Sequence, residues 1–108
     1  MTMYCLSPKQ YAKKILHLSQ HMLDLSYKQD WIVCAELEEQ RQQVMTDLFN
    51  HTDMPEALVD ISEILEQVVL IDSESIYLCD EARAKERDNL QKVKSRKKAA
   101  SVYHSHQF

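Results

Sequence analysis

The chain contains no glycine in 108 residues. Glycine supplies the positive φ angles that tight turns, primed hairpins and phosphate-binding loops require. Its absence predicts long helices joined by a few short connections. It also argues against P-loop and dinucleotide-binding chemistry, whose loops need glycine so that the backbone can approach phosphate. A chain of this length is expected to form one domain with its own core.

Helix-capping residues mark where the helices begin. Residues 7–10, SPKQ, form a capping box with proline at the first helical position. Asp30 is placed to cap a second helix through its carboxylate. Residues 53–56, DMPE, form a second candidate capping box. The predicted helices cover residues 8–28, 31–50 and 55–96, approximately.

Apolar residues recur every three or four positions in each predicted helix, which is typical of a core-facing stripe. We therefore predict an all-α fold, an antiparallel three-helix bundle over residues 1–98. Beyond Ala82 the stripe thins among charged residues, so this half of the long third helix is expected to project or to pack only in part. A short fourth segment follows at 99–108.

Charge is divided unevenly along the chain. Residues 1–80 carry 14 acidic and 5 basic side chains, a net of −9. Residues 81–108 carry 3 acidic and 8 basic side chains, a net of +5, most densely in KVKSRKK at 92–98. Nucleic-acid binders usually have a basic body as well as a basic arm. The acidic body therefore argues against direct nucleic-acid binding, which would be steeply salt-dependent.

Nothing in the sequence predicts membrane insertion or export. No charged-then-apolar leader begins the chain, and the longest apolar run is VVLI at 68–71. The three cysteines, Cys5, Cys34 and Cys79, are odd in number and widely spaced. We expect reduced thiols and a cytoplasmic location.

No catalytic or metal-binding motif is complete. His17 and His21 have a spacing that suits one metal ion, but no carboxylate or cysteine motif completes four ligands. His104 and His106 are no stronger. The cysteines of the helices lie in apolar stripes and are expected to be small buried hydrophobes, not nucleophiles. We predict no enzyme activity and no cofactor.

Arg41 interrupts the apolar stripe of the second helix. A buried guanidinium needs a partner, and Asp72 lies on the facing stripe of the third helix. One interpretation is a structural Arg41–Asp72 pair that sets the helix register. The alternative is that Arg41 meets the carboxylate or carbonyl groups of a partner protein.

Tyr103 follows the small residues 99–101, where the helical pattern has weakened. It either packs loosely on the bundle or anchors another protein, a role that suits tyrosine because its large contact area costs little entropy. The pattern alone favours neither.

The order of these features resembles the flagellar export chaperone FliT family. The resemblance rests on LSQHMLDLSYKQDW at 18–31, ELEEQRQQVMTDLF at 36–49, ILEQVVLIDSES at 64–75 and KKAASVY at 97–103. It implies a small cytoplasmic helical protein without enzyme activity that binds the C-terminal segment of the filament cap protein through an apolar helical surface.

The resemblance also implies further partners. The C-terminal segment is expected to regulate access to the apolar surface, and Tyr103 matches the tyrosine implicated in docking on the flagellar export gate protein. The export ATPase, its stalk protein and the flagellar master transcription activator are further expected partners. The chain ends five residues after Tyr103, unlike longer members, so a full fourth helix and regulation that depends on it are not expected.

The surface between helices two and three is the predicted client site. Its residues are Val44, Met45, Leu48, Phe49, Leu65, Val68 and Val69. Each of these alternatively belongs to the core, because helix stripes are core by default. A spare amphipathic face also suits a homodimer. The alternative function is a structural or regulatory helical adaptor, such as a coiled-coil dimer, without an export client.

Overall fold

The computed structural model describes the backbone of residues 6–105 and the side chains of residues 6–96. It contains three helices, α1 (Pro8–Tyr27), α2 (Trp31–Phe49) and α3 (Met54–Ser105). No strand occurs within residues 6–105, and the predicted all-α class is confirmed. None of the helices, over the residues described, is long and apolar enough to span a membrane.

The capping box predicted for α1 is present. The Ser7 backbone N–H donates to Gln10 Oε1 at 2.9 Å, and the Gln10 N–H donates to Ser7 Oγ at 3.3 Å. Two amides at the helix start, which have no partner within the helix, are satisfied in this way. At α2, Asp30 Oδ1 accepts a weaker bond of 3.4 Å from the Val33 N–H.

A left-handed residue ends α1, although no glycine is available for it. Gln29 has a φ of 59°. Its N–H donates to the Ser26 carbonyl at 3.2 Å, and the Asp30 N–H donates to the Leu25 carbonyl at 2.9 Å. These two bonds form a Schellman motif, a helix ending in which glycine usually takes the left-handed position. The turn leads directly into Asp30, the cap of α2.

Helix α3 is longer than the sequence predicts. Its hydrogen bonding begins where the Ala57 N–H donates to the Asp53 carbonyl at 3.1 Å, and it runs to Ser105. The end predicted near residue 96 is wrong, because no glycine or proline follows Pro55 and the Lys- and Ala-rich sequence favours helix. The described part of the segment predicted from residue 99 therefore belongs to the same helix.

Among the side chains of residues 6–96, two apolar clusters form the core. The larger one joins all three helices through Tyr11 and Ile15 of α1, Leu48 of α2, and Ile61 and Val68 of α3. The smaller one packs Met22 and Leu25 of α1 against Leu37 of α2. Residues late in α1 thus contact residues early in α2, whereas the start of α1 meets the end of α2.

By internal contacts the chain divides into two units, the first ending at Leu78 and the second beginning at Cys79. The core lies in the first unit. In the second, most side chains up to Arg96 are exposed, and Lys92 Nζ lies 3.7 Å from Asp88 Oδ2, one turn earlier. The boundary predicted from the sequence, between the bundle and the C-terminal segment, lies later in the chain, between residues 98 and 99.

Candidate functional site

Arg41 is buried, with 8% of the residue exposed. Its Nη1 donates to Asp72 Oδ1 on α3 at 2.5 Å and to Ser19 Oγ on α1 at 3.0 Å. Nη2 donates to Glu38 Oε2, one turn earlier in α2, at 2.6 Å. A single guanidinium therefore contacts all three helices, and two carboxylates balance its charge. Such pairing is what permits an arginine in a protein core.

Ser19 completes this Arg41 cluster (Ser19, Glu38, Arg41 and Asp72), and sequence reasoning missed it. The residue is 0% exposed. Its hydroxyl donates to the Ile15 carbonyl at 2.8 Å, a common bond for serine within helices, so the oxygen is free to accept from Arg41. A small polar residue in the core stripe of α1 was the available signal. Because Arg41 is buried and has three acceptors, the geometry favours the structural pair over contact with a partner.

A second polar contact, around His51, holds the turn between α2 and α3. His51 Nδ1 accepts from the Asp53 N–H at 3.0 Å, so its proton resides on Nε2, which donates to the Leu6 carbonyl at 3.2 Å. The Tyr11 ring meets the imidazole edge-on, with centroids 6.1 Å apart. His51 thus connects Leu6, which precedes α1, to the turn between α2 and α3. The sequence offered no pattern that indicated this role.

Tyr27 and Glu74 connect the exposed end of α1 to α3. The Tyr27 hydroxyl donates to Glu74 Oε1. This hydrogen bond to a carboxylate is the main cause that raises the pKa of Tyr27 above its usual value of 10.0, because the bond exists only while the phenol keeps its proton. Partial desolvation and the negative charge of Glu74 act in the same direction.

The histidine and cysteine candidates that the structure describes do not assemble into a site. His17 and His21 are both exposed on α1, and no group of three potential metal ligands occurs among the described residues. Cys34 and Cys79 are half-buried free thiols. Cys34 Sγ lies 3.9 Å from Ser26 Oγ and 3.8 Å from the Met22 carbonyl oxygen, neither of which is a base for thiol activation. Cys5, His104 and His106 lie outside the described side chains.

The residues predicted to bind a client fall into three groups by exposure. Val44, Leu48 and Val68 are core residues, 7%, 0% and 3% exposed. Met45 and Leu65 are half-buried against that core. Phe49 and Val69 are exposed, 58% and 62%. Of the predicted surface, the structure therefore leaves only the last four residues wholly or partly accessible.

An open apolar groove lies along α3, beside the stripe that faces the core. We call it the α3 groove, and it has a volume of about 510 Å³. Its apolar members include strongly exposed side chains, such as Leu70 at 73%. Sequence reasoning found Leu65 and Val69 but missed the others, because their spacing resembles that of core residues. The groove is lined by Leu58, Ser62, Leu65, Glu66, Val69 and Leu70.

The part of α3 that carries this groove is acidic, and Glu66 lies in its lining. No lysine or arginine occurs between Arg41 and Arg83, whereas residues 54–80 contain seven aspartates and glutamates. A segment that binds here therefore needs apolar side chains for the groove and is favoured by basic side chains at its rim. The Tyr103 backbone lies within α3, but its side chain lies outside the described residues.

Comparison with known proteins identifies the family. The family model described as Flagellar protein FliT matches residues 9–105. The chain therefore belongs to the FliT family of flagellar proteins, and the resemblance found in the sequence is confirmed. No curated protein and no solved structure matches the chain.

Proposed function

We propose that this FliT-family protein is a cytoplasmic export chaperone of the flagellar type III system, and that it is not an enzyme. Its client is the C-terminal segment of the filament cap protein, which it delivers to the export gate protein. Membership of the FliT family supports a flagellar role. The observation that carries the binding role is the exposed apolar groove on α3, since contiguous exposed apolar surface often marks a protein-binding site.

The α3 groove is the client site in this proposal. An amphipathic helix that binds in such a groove contacts it with apolar side chains spaced three and four residues apart. Leu58, Ser62, Leu65 and Val69 follow one another along α3 at intervals of four, three and four residues. Met45 and Phe49 of the predicted site are accessible on α2 and extend the proposed surface. An antiparallel arrangement of the three helices is part of the proposal, supported by the order of the α1–α2 contacts.

Calorimetric titration of this chain with a C-terminal fragment of the cap protein tests whether that segment is the client. Val69→Glu places a charge in the groove and should weaken binding at least about tenfold, since burying an unpaired charge is costly. Ile32→Glu is the matched control, because Ile32 is an apolar side chain of α2 that is 77% exposed and outside the groove. Equal affinities for the two variants, or no binding by the unmodified chain, would contradict the proposal.

Tyr103 is proposed to dock on the export gate protein. Tyr103→Ala should weaken gate binding while cap-protein binding stays unchanged, and an unchanged gate affinity would contradict this role. The export ATPase, its stalk protein and the flagellar master transcription activator are proposed as further partners, on the family relation alone. If none of these proteins binds, the alternative of a structural helical adaptor without an export client is favoured.

A further inference from the structure

We propose that the later part of α3, residues 82–96, binds the surface of a membrane that contains anionic lipids. In this interaction the helix lies along the surface and does not cross the bilayer. The proposal concerns a different part of the chain from the α3 groove, and it does not depend on the client described above. It follows from the arrangement of apolar, basic and acidic side chains around this part of the helix.

The charge of this part of α3 favours an anionic partner. Residues 81–98 carry eight basic and three acidic side chains, a net of +5. Every side chain from residue 83 to residue 96 is exposed. Clusters of about four to eight lysines and arginines on an amphipathic helix are typical of binding to anionic lipid headgroups.

The apolar side chains of the same segment form a narrow stripe. Leu90 and Val93 are 59% and 46% exposed and line a shallow surface depression with Glu86 and Asn89. Helical periodicity places Ala82 on the same side of α3. A stripe this narrow suits shallow contact with the boundary between lipid headgroups and acyl chains.

Basic side chains flank the apolar stripe on both sides. A period of 3.6 residues places three of them on each flank. They are Arg83, Arg87 and Lys94 on one flank and Lys85, Lys92 and Arg96 on the other. Such side chains hold their cations at the level of the lipid phosphates while their methylene groups stay beside the apolar boundary. Two of the three acidic residues, Glu81 and Asp88, lie on the opposite face of the helix. One orientation therefore brings the apolar stripe and both basic flanks to the membrane.

An anionic membrane fits this arrangement better than a nucleic acid does. A nucleic acid would contact the basic side chains but would leave the apolar stripe between them exposed to water. Residues 82–96 also contain no aromatic residue on which a base could stack. The acidic residues earlier in the chain have little influence, because screening limits the reach of a charge to about 8 Å at physiological ionic strength. Glu86 opposes the contact, since it lies within the stripe.

Co-sedimentation of the full chain with vesicles tests the proposal. One set of vesicles contains phosphatidylcholine alone, and in the other phosphatidylglycerol supplies negative charge. We expect binding to the anionic vesicles only, and weaker binding as the salt concentration rises. Replacing the three basic residues of either flank by glutamine should weaken binding about a hundredfold, since each cation near the surface contributes about fivefold.

Two single variants test the apolar stripe. Leu90→Ser should weaken binding to the anionic vesicles about tenfold, because apolar area that leaves water on binding is lost. Glu86→Gln should strengthen binding about fivefold, because it removes a negative charge that faces the lipid phosphates. Both residues are exposed, so the helical circular dichroism should not change.

A matched pair of variants separates the helix face from the net charge. Arg87→Gln and Ser95→Glu each lower the net charge by one, and both residues are exposed. Arg87 flanks the stripe, whereas Ser95 lies on the opposite face, about 10 Å away across the helix and beyond the screening length. Arg87→Gln should weaken vesicle binding about fivefold. Ser95→Glu should change it by less than about twofold.

Three results would overturn the proposal. One is a chain that does not bind the anionic vesicles at low salt, or that binds the neutral vesicles equally well. Another is equal weakening by Ser95→Glu and Arg87→Gln, which would show that net charge alone governs the binding. The third is a DNA duplex that binds more tightly than the vesicles and is unaffected by Leu90→Ser, which would identify a contact with nucleic-acid phosphates instead.

Discussion

Replacement of Asp72 tests whether carboxylate partners are what allow Arg41 to be buried. In Asp72→Ala the guanidinium loses its 2.5 Å contact but keeps Glu38 at 2.6 Å and Ser19 at 3.0 Å. Breaking a fully buried ion pair costs about 3–5 kcal/mol. The Asp72 side chain is 30% exposed and Glu38 remains. We therefore expect the free energy of unfolding to fall by about 2 kcal/mol.

Replacement of Arg41 itself should lower the free energy of unfolding by less than Asp72→Ala does. Arg41→Met keeps much of the side-chain volume and removes the charge from the core. The carboxylates it leaves behind, Glu38 and Asp72, are 45% and 30% exposed and can be hydrated. The free energy of unfolding should fall by no more than about 1 kcal/mol, since apolar replacement of a buried charge is often neutral. The Arg41→Met/Asp72→Ala double variant should be more stable than Asp72→Ala alone.

Urea unfolding followed by circular dichroism measures each free energy. Asp60→Ala is the matched control, because Asp60 is an exposed aspartate of α3 and the change in helix propensity is the same. We expect this control to be neutral or slightly stabilised, by up to about 0.5 kcal/mol. If Asp72→Ala is as stable as Asp60→Ala, or if Arg41→Met is the more damaging change, the carboxylates do not hold Arg41 in place.

The other predictions concern single contacts. Gln29→Gly should stabilise the chain by about 0.5–1 kcal/mol, because glycine adopts the positive φ without strain; a loss of stability in thermal unfolding would contradict this. Because the pKa of Tyr27 is raised, its contribution to stability is present below pH 10.0 and is lost as the pH rises through the folded-state pKa. Glu74→Gln should lower that pKa, as measured by ultraviolet titration with Tyr27→Phe identifying the signal, and an unchanged midpoint would refute the contact. His51→Ala should cost about 1–3 kcal/mol of unfolding free energy, since the part-buried Leu6 carbonyl loses its donor and the buried imidazole is removed, and a loss below about 0.5 kcal/mol would argue against the contact.

Local sequence signals predicted most of the helix starts. The capping box at Ser7 and the cap at Asp30 are present, because each depends only on residues within one turn. The absence of glycine predicted helices throughout, yet within the described backbone Gln29 adopts a left-handed conformation. The cost of a positive φ is small enough for two backbone hydrogen bonds to offset it. The late end of α3 was missed because a decline in apolar pattern does not by itself end a helix.

The client surface was harder to predict, since core and exposed stripes have the same spacing. Val68 and Val69 are neighbours in sequence, but one is 3% and the other 62% exposed. A step of about 100° around the helix separates them, and only the packing of α1 and α2 selects which side is covered. The buried Ser19 was missed for the same reason.

The sequence by itself determined the helical class, the family and the division of charge between the two parts of the chain. These properties follow from composition and from interactions between residues close in sequence. The tertiary structure alone decided that Arg41 contacts Ser19 as well as two carboxylates, and that His51 joins the α2–α3 turn to Leu6. It also decided that one flank of α3 stays exposed. Such contacts join residues far apart in sequence, and they depend on how the helices pack, which no local pattern specifies.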